Sequence, residues 1–294
     1  MIERSSSDVV IIGGVAAGPK TGAALARRAP KLRIVLFQRE SYISYGSCGL
    51  PYFASGDIPT FGELTRTSYG VERTPAVFRD TKGFDVVTGA ELISIDRSAK
   101  TVRVKDTATG EIHTHGYGTL VIATGARPKT PPFPVAESPL IRFFTRPDDA
   151  LSFRKLAERG GIGSLVIVGG GYIGCELAEA ATVWGFDTTL IEREPQLLPG
   201  GFDWEIAAHA RSELERGGID VRIGSEVKQI SLVDGRPLVE LSDTSIGADY
   251  VILCLGVSPE SGLARDCGLE TGERGGILVD EHLRTSDRNI YAGG

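Results

Sequence analysis

One local pattern occurs twice in this chain and limits the folds that it can adopt. A β-branched run at 8–12 stops at the glycine turn GGVAAG (13–18), and an alanine-rich stretch follows. A second run at 164–168 stops at GGGYIG (169–174), again before an alanine-rich stretch. Each copy predicts a strand, a tight turn and a helix, and a further β-branched run completes a βαβ unit.

The glycine turns indicate two dinucleotide-binding sites. Backbone N–H groups at a helix N-terminus hold a pyrophosphate, and glycine lets the backbone approach it closely. A polar residue ends the second strand of each unit, Gln38 in the first and Glu192 in the second, where a ribose hydroxyl would lie. The first loop departs from GxGxxG at Val15, so a turn without a ligand remains the alternative there. Glu192 favours NADH because a carboxylate repels a 2′-phosphate, although Arg193 weakens that preference and leaves NADPH open.

Short antiparallel strands are expected after each βαβ unit. Runs at 85–87, 90–96 and 101–106 predict a β-meander that leads into a strand at 119–123. Runs at 220–223, 226–232 and 238–241 repeat this arrangement before a strand at 250–255. A proline-rich stretch at 127–134 separates the two halves and predicts a linker.

Composition excludes several classes of protein. The longest apolar runs are too short to cross a membrane, and a net charge of -6 gives no basic surface for nucleic acid. The four cysteines are widely spaced, which excludes a disulfide framework, and no Cys/His cluster predicts a metal site. We therefore expect a cytoplasmic protein with reduced thiols.

A cysteine motif brings a known family into view. The segment SYISYGSCGLPY (41–52) resembles the single-cysteine branch of the FAD-dependent pyridine nucleotide–disulfide oxidoreductases, and in particular the coenzyme A disulfide reductase type. Further motifs of that branch are GGVAAG (13–18), TLVIATG (119–125), GGGYIGCELAE (169–179), GVSP (256–259) and TSDRNIYAGG (285–294). They extend over nearly the whole chain.

The resemblance implies an α/β fold with two Rossmann-like FAD/NAD(P)-binding domains that carry antiparallel β-meander inserts. The expected FAD-binding domain comprises 1–125 and 257–294, the linker 126–144, and the NAD(P)H-binding domain 145–256. In the family, an aspartate and a C-terminal domain that forms a homodimer follow the motif that ends here at Gly294. A homodimer is therefore expected for a full-length member and is doubtful for this chain.

Electrons are expected to pass from NAD(P)H through FAD to Cys48. By resemblance, Tyr172 covers the flavin until the nicotinamide displaces it, and Glu176 lies beside the nicotinamide. The expected cofactor-binding residues are Gly13, Gly14, Val15, Ala16, Gly18, Gln38, Arg39, Thr124, Gly125, Gly169, Gly171, Tyr172, Ile173, Gly174, Glu176, Glu192 and Gly256.

Cys48 is the expected redox residue. It opens a glycine-containing segment that is expected to start a helix, and the positive end of a helix dipole lowers a thiol pKa. Two-cysteine relatives carry CxxxxC, but the matching positions here are Ile43 and Phe53. Cys48 must therefore act alone, either as a mixed disulfide or persulfide with a small thiol or as a sulfenic acid.

Coenzyme A, as a substrate or a bound mixed disulfide, is the expected small-thiol partner. The resemblance assigns it to Lys20, Arg27, Ser44 and, less directly, Lys82, whose basic side chains suit phosphate groups. A simpler interpretation is that Arg27 only favours the C-terminal end of its helix. Two other functions stay open: an NADH oxidase or peroxidase that uses a Cys48 sulfenate, and a truncated nucleotide-binding module without turnover.

Overall fold

The computed structural model describes residues 5–294, which form two compact units. The first unit comprises 5–46, 62–127 and 258–294, and the second comprises 47–61 and 128–257. The segment 47–61, which the sequence boundaries assign to the first domain, therefore belongs to the second unit. The nucleotide that each unit binds stays a prediction.

The strands and helices are numbered in chain order. The strands are β1 (Ser5–Ile12), β2 (Ile34–Phe37), β3 (Asp85–Val87), β4 (Ala90–Asp96), β5 (Thr101–Asp106), β6 (Ile112–Ile122), β7 (Ala126–Pro128), β8 (Ile141–Phe143), β9 (Ser164–Val168), β10 (Asp187–Ile191), β11 (Asp220–Arg222), β12 (Val227–Val233), β13 (Arg236–Leu241), β14 (Ser245–Gly247), β15 (Tyr250–Leu253), β16 (Val257–Pro259) and β17 (Ile290–Ala292). The helices are α1 (Ala17–Arg28), α2 (Leu50–Ser55), α3 (Phe61–Leu64), α4 (Pro75–Val77), α5 (Pro147–Glu158), α6 (Tyr172–Val183), α7 (Trp204–Arg216) and α8 (Gly262–Asp266). A 3₁₀ turn at Ser47–Gly49 leads into α2, and a π-helical turn at Phe78–Lys82 follows α4.

The first unit is built on a seven-stranded sheet. Its order is β3-β2-β1-β6-β5-β4. Strand β17 pairs with the last residues of β6, beyond the part of β6 that pairs with β5. The pairs among β3, β2, β1, β6 and β17 are parallel, whereas β4 and β5 are antiparallel to their neighbours. Val9 and Ile11 of β1 pack in one cluster with Ala26 of α1, and Val10 and Ile12 pack with the meander. Both faces of β1 are therefore buried, which explains its unbroken apolar run.

The second unit repeats this plan around a five-stranded parallel sheet. The order is β11-β10-β9-β15-β8, and β12, β13 and β14 form a separate antiparallel sheet. Val166 and Val168 of β9 pack in one cluster with Ile230 of β12 and Val239 of β13. The predicted α/β class, with two Rossmann-like halves and antiparallel inserts, is confirmed.

The secondary structure adds detail at three sequence-based boundaries. The expected linker at 126–144 is not free of regular structure, because Ala126–Pro128 pairs with Val257–Pro259 and β8 is an edge strand of the second unit's sheet. Proline is tolerated there because Pro128 ends a two-stranded ladder. The strand expected at 119–123 extends back to Ile112, since its first half pairs with β5. Helix α6 begins at Tyr172, inside the glycine turn.

Candidate active site

In the first glycine loop, the chain itself requires glycine at two positions. Gly13 has φ +102°, and a Cβ there would lie 2.1 Å from the carbonyl oxygen of Ala123. A Cβ at Gly18 would lie 1.9 Å from the carbonyl oxygen of Gly13. The loop is thereby folded tightly between β1, β6 and α1. Val15 is half-buried, and Ala16, the residue that precedes α1, is exposed.

The second glycine loop has the same geometry with one difference. Gly169 has φ +111°, and its Cβ would lie 2.3 Å from the carbonyl oxygen of Cys254, while that of Gly174 would lie 1.9 Å from the carbonyl oxygen of Gly169. At Gly171, no atom of residues 5–294 outside the adjoining residues lies within 4 Å of an added Cβ. The small size of Gly171 therefore leaves open space at the start of α6. This open space is what close approach of a pyrophosphate to the loop backbone would require.

Gln38 and Glu192 close the two loops in the same way. The side-chain Oε1 of Gln38 accepts a hydrogen bond from Gly14 N at 2.8 Å, and its Nε2 donates to the carbonyl of Tyr42 at 3.2 Å. In the second unit, Glu192 Oε2 accepts from Gly170 N at 2.7 Å, and Oε1 accepts from Glu194 N at 2.9 Å. Both side chains are buried. The side chain that closes the first loop is thus a neutral amide, and the one that closes the second loop is a carboxylate.

A groove of about 660 Å³ lies along the second loop, within the usual range for small-ligand sites. Gly169, Gly171 and Tyr172 line it at the loop, Glu192, Arg193 and Glu194 line it just after β10, and Glu226 lines it just before β12; Lys129 and Gly256 also border it. Arg193 Nε lies 3.1 Å from Glu194 Oε1, so its guanidinium is paired at the rim. Gly256 has φ +82° and accepts from Lys129 N at 3.0 Å.

Three side chains at the start of α6 carry the remaining predictions for this loop. Tyr172 is 59% exposed, and its ring centroid lies 6.0 Å from that of Phe202. Ile173 beside it is also exposed. One turn further on, Glu176 is half-buried, and burial together with the Glu179 carboxylate raises the pKa of its carboxyl group. Tyr172 and Glu176 are four residues apart on α6, so the exposed aromatic ring and the carboxyl group with the raised pKa lie on the same face of the helix.

The other predicted nucleotide residues of the first unit lie on loops. Thr124 Oγ1 donates to the carbonyl of Glu260 at 2.5 Å, and the carbonyl of Gly125, whose φ is +71°, accepts from Glu260 N at 2.8 Å. These bonds fix the turn after β6. Arg39 is half-exposed and pairs with Glu40 at 3.7 Å and with Glu91 at 3.8 Å.

Cys48 differs from the other cysteines of the described chain. It is exposed in the 3₁₀ turn that leads into α2, as the sequence predicted for the start of a helix. Burial raises the pKa of Cys175 and of Cys254 to about 12, and burial also raises the pKa of Cys267. Cys48 is thus the cysteine whose thiol is open to a reactant.

The two positions where a partner cysteine would be expected belong to the cores of their units. Ile43 is 2% exposed and packs in the cluster between α1 and the first sheet. Phe53 is 5% exposed in the second unit, and its ring centroid lies 5.8 Å from that of Phe61. Both side chains serve packing.

The four residues expected to contact coenzyme A lie in the first unit. Lys20 and Arg27 are exposed on α1, seven residues apart and therefore on one face. Lys82 is exposed at the end of the π-helical turn. Ser44 is half-buried with φ +51°, and its N donates to the carbonyl of Gly14 at 2.7 Å.

Arg73 contacts a predicted coenzyme A residue, Ser44, and the sequence did not reveal this contact. Its Nη1 donates to the carbonyl of Ser44 at 2.8 Å and to that of Leu64 at 3.3 Å. It therefore fixes the backbone conformation of Ser44, a few residues before Cys48. A lone arginine in a loop gives no local signal of such a role.

Two general properties of the described residues bear on the site. Between residues 5 and 294, no group of three or more His, Cys, Asp or Glu side chains could hold a metal ion. Over the same range, no helix has the length and apolar character to cross a bilayer.

The comparisons with known proteins agree with the fold. Residues 7–294 match the family model described as pyridine nucleotide-disulphide oxidoreductase. The chain belongs to this family. A solved structure with a similar fold is the NAD-dependent persulfide reductase from A. fulgidus, with a TM-score of 0.93 and 36% identity, covering 97% of this chain and 52% of that chain.

Two relatives show the range of activities in the family. The NAD(P)H sulfur oxidoreductase (CoA-dependent) of Pyrococcus abyssi is 34% identical over 100% of this chain and 63% of its own length. The NADH oxidase of Methanocaldococcus jannaschii is 29% identical over 97% of this chain and 62% of its own length. The chain thus spans less than two thirds of either relative.

Proposed function

We propose that this protein is an FAD-dependent NAD(P)H oxidoreductase that reduces coenzyme A disulfide, a coenzyme A persulfide or a related small-thiol acceptor through Cys48. The observation that carries the proposal is the exposed Cys48 thiol at the start of α2, in a chain whose other cysteines are buried or half-buried. The printed names of the Pyrococcus abyssi and A. fulgidus relatives support the choice of acceptor. A free thiol in each cycle also suits the reducing cytoplasm, where we expect the protein to work.

The two glycine loops are the proposed cofactor sites. In the first unit, Gly13, Gly14, Gly18, Gln38 and the Thr124-Gly125 turn would hold FAD. In the second, Gly171 leaves room for the pyrophosphate of NAD(P)H at the start of α6. Bound FAD supplies the two-electron link between a nicotinamide and a sulfur acceptor.

NADH is the preferred donor in this proposal. The Glu192 carboxylate is fixed by Gly170 N and Glu194 N, so its charge cannot move away from a 2′-phosphate. Arg193, which could attract that phosphate, is paired with Glu194. NADPH therefore has to displace an ion pair and approach a buried carboxylate.

The chemical steps assigned to this chain take place at the Cys48 sulfur. The Cys48 thiolate attacks one sulfur of R–S–S–R, so that a Cys48–S–S–R bond forms and RS⁻ leaves. Two electrons from NAD(P)H then cleave this mixed disulfide and restore the thiolate with release of a second RS⁻. The balance is NAD(P)H + H⁺ + RSSR → NAD(P)⁺ + 2 RSH.

Recognition of coenzyme A is proposed for Lys20, Arg27, Lys82 and Ser44. The three basic side chains are exposed, so their charges are free to meet the phosphate groups of the substrate. Assembly as a homodimer is proposed from the family resemblance alone, and light scattering of the purified protein tests it.

The test uses Cys48→Ser with Cys267→Ser as its matched control. We expect Cys48→Ser to abolish NADH oxidation with coenzyme A disulfide but to retain NADH binding by fluorescence titration. Cys267→Ser, which changes a half-buried thiol, should turn over like the wild type. Undiminished disulfide turnover in Cys48→Ser contradicts the proposal.

An NADH oxidase is the second candidate, favoured by the match to the Methanocaldococcus jannaschii enzyme. In that case Cys48 would cycle as a sulfenic acid. Oxygen consumption with NADH in the absence of any disulfide, at a rate above that of the disulfide reaction, identifies this activity.

A further inference from the structure

Two side chains of the second unit hold the end of the helix that follows Cys48. Arg154 of α5 donates from Nη1 to the carbonyl of Phe53 at 2.9 Å. Trp184, which follows α6, donates from Nε1 to the carbonyl of Ala54 at 2.9 Å. We call these two residues the Arg154–Trp184 clamp.

The clamp satisfies carbonyl groups that α2 cannot satisfy itself. The last four carbonyls of a helix have no partner within it. In α2, the carbonyl of Tyr52 accepts from Ile58 N at 3.0 Å and from Ser55 Oγ at 2.9 Å, both within the segment. The carbonyls of Phe53 and Ala54 depend on α5 and on the residue after α6. A helix of six residues is not stable alone, so these outside bonds matter for it.

Arg154 is itself fixed on several sides. Its Cζ lies 5.6 Å from the ring centroid of Phe53 and 5.2 Å from that of Trp184. Its Nε donates to Glu158 Oε1 at 2.6 Å, and its side chain is 16% exposed. Gly56 has φ +101°, and a Cβ there would lie 3.3 Å from Nη1. A guanidinium held between two aromatic rings and a carboxylate moves little.

We propose that Arg154 and Trp184 are positioning residues for Cys48, an inference that rests on the proposed redox function of that thiol. Cys48 lies five residues before Phe53, in the 3₁₀ turn that runs directly into α2. Release of the clamped end lets α2 and this turn shift together. Misplacement of a reacting group by about 1 Å costs about a hundredfold in rate.

The experiment compares Arg154→Met, Arg154→Lys and Trp184→Phe with Lys155→Met in the flavin-loaded protein. Lys155 is exposed beside Arg154 on α5, so its variant controls for loss of a cation from that helix. Trp184→Phe keeps an aromatic ring and removes the N–H that reaches Ala54. Arg154→Lys keeps the charge without the planar fork and should restore part of the loss.

Three measurements separate positioning from general stability. Hydrogen exchange of 47–56 should rise about tenfold or more in Arg154→Met, which loses a charge-assisted bond, and about threefold to tenfold in Trp184→Phe, which loses a neutral one. Their kcat with coenzyme A disulfide should fall at least tenfold. The rate of flavin reduction by NADH, a step that does not use Cys48, should stay within about twofold of that in Lys155→Met.

The outcomes distinguish this inference from the proposed function. Full turnover by Cys48→Ser overturns the proposed function whatever the clamp variants do. If Cys48→Ser is inactive but Arg154→Met and Trp184→Phe match Lys155→Met in exchange or in kcat, the clamp inference is wrong. If Arg154→Met does not fold, Trp184→Phe decides alone by the same two readouts.

Discussion

Two adjacent glycines of the second loop, Gly170 and Gly171, should respond differently to the same substitution. A Cβ at Gly170 would lie 2.6 Å from Leu197 Cδ2 and 3.0 Å from Glu192 Cβ, and both neighbours are buried. Gly170→Ala therefore overpacks the loop, at a cost of about 1–3 kcal/mol. Gly171 has φ -77°, which alanine adopts readily, and nothing in the described chain approaches its Cβ position. Gly171→Ala should cost only about 0.5–1 kcal/mol, because alanine is a poorer N-cap residue than glycine but meets no steric clash here.

Calorimetry and NADH titration give the two readouts. Because each kcal/mol shifts the Tm of a domain of this size by about 2–4 °C, Gly170→Ala should lower the Tm by about 2–12 °C. Gly171→Ala should lower the Tm by only about 1–4 °C. Its methyl group keeps a phosphate from the backbone N–H groups, so the Kd for NADH should rise about tenfold to a hundredfold.

The reasoning is refuted by either of two results. One is a Gly171→Ala protein that binds NADH as tightly as the wild type. The other is a Gly171→Ala protein whose Tm is lower than that of Gly170→Ala. In that case the space around each Cβ position would not determine the stability of the variant.

Two further predictions concern ionisable groups. Hydrogen bonds from the backbone of Ser164 and Gly163, with the Arg236 guanidinium nearby, hold the pKa of Asp249 below its ordinary value. This stabilisation is present above the unfolded-state pKa of about 3.9 and is lost as pH falls through the lower folded-state pKa. Asp249→Ala should thus have a lower Tm than the wild type at pH 7, and this difference in Tm should become smaller towards pH 3. A difference in Tm that does not change with pH contradicts this prediction. Iodoacetamide at pH 8, followed by peptide mapping, should label Cys48 well before Cys175, whose pKa burial raises to about 12; equal labelling rates contradict this.

Strands with a strong local signal could be located from the sequence. The intervals 85–87, 90–96, 101–106 and 164–168 agree with β3, β4, β5 and β9. Each is a β-branched or alternating run bounded by glycine or polar residues, so the information lies within the segment itself.

Features that depend on distant partners could not be located in this way. Strand β6 continues through Gly116 and Gly118 because β1 pairs with it on one side. In the sequence, glycine argues against the interior of a strand, so this continuation was not predicted. The assignment of 47–61 to the second unit depends on side chains of α5 and of the residue after α6. No pattern within 47–61 contains that information.

The sequence was enough to name candidate site residues, whose roles stay predictions, but it did not reveal the contacts that these residues make. The motif around Cys48 and the two glycine loops were visible as residue types at fixed spacing. Gln38 was expected to meet a ribose, and that role stays a prediction. Its bond to Gly14 N closes the loop within the protein, and such a contact follows only from the folded backbone.

The tight contacts at Gly13, Gly18, Gly169 and Gly174 mean that both loops take their shape when the chain folds. The conformational entropy of these turns is therefore lost during folding and not again when a ligand arrives. A dinucleotide should then meet a preformed surface, with little change in backbone order and a modest heat-capacity change. We expect affinity differences among nucleotides to come from side chains such as Gln38 and Glu192, whose amide and carboxylate are proposed to lie beside the ribose.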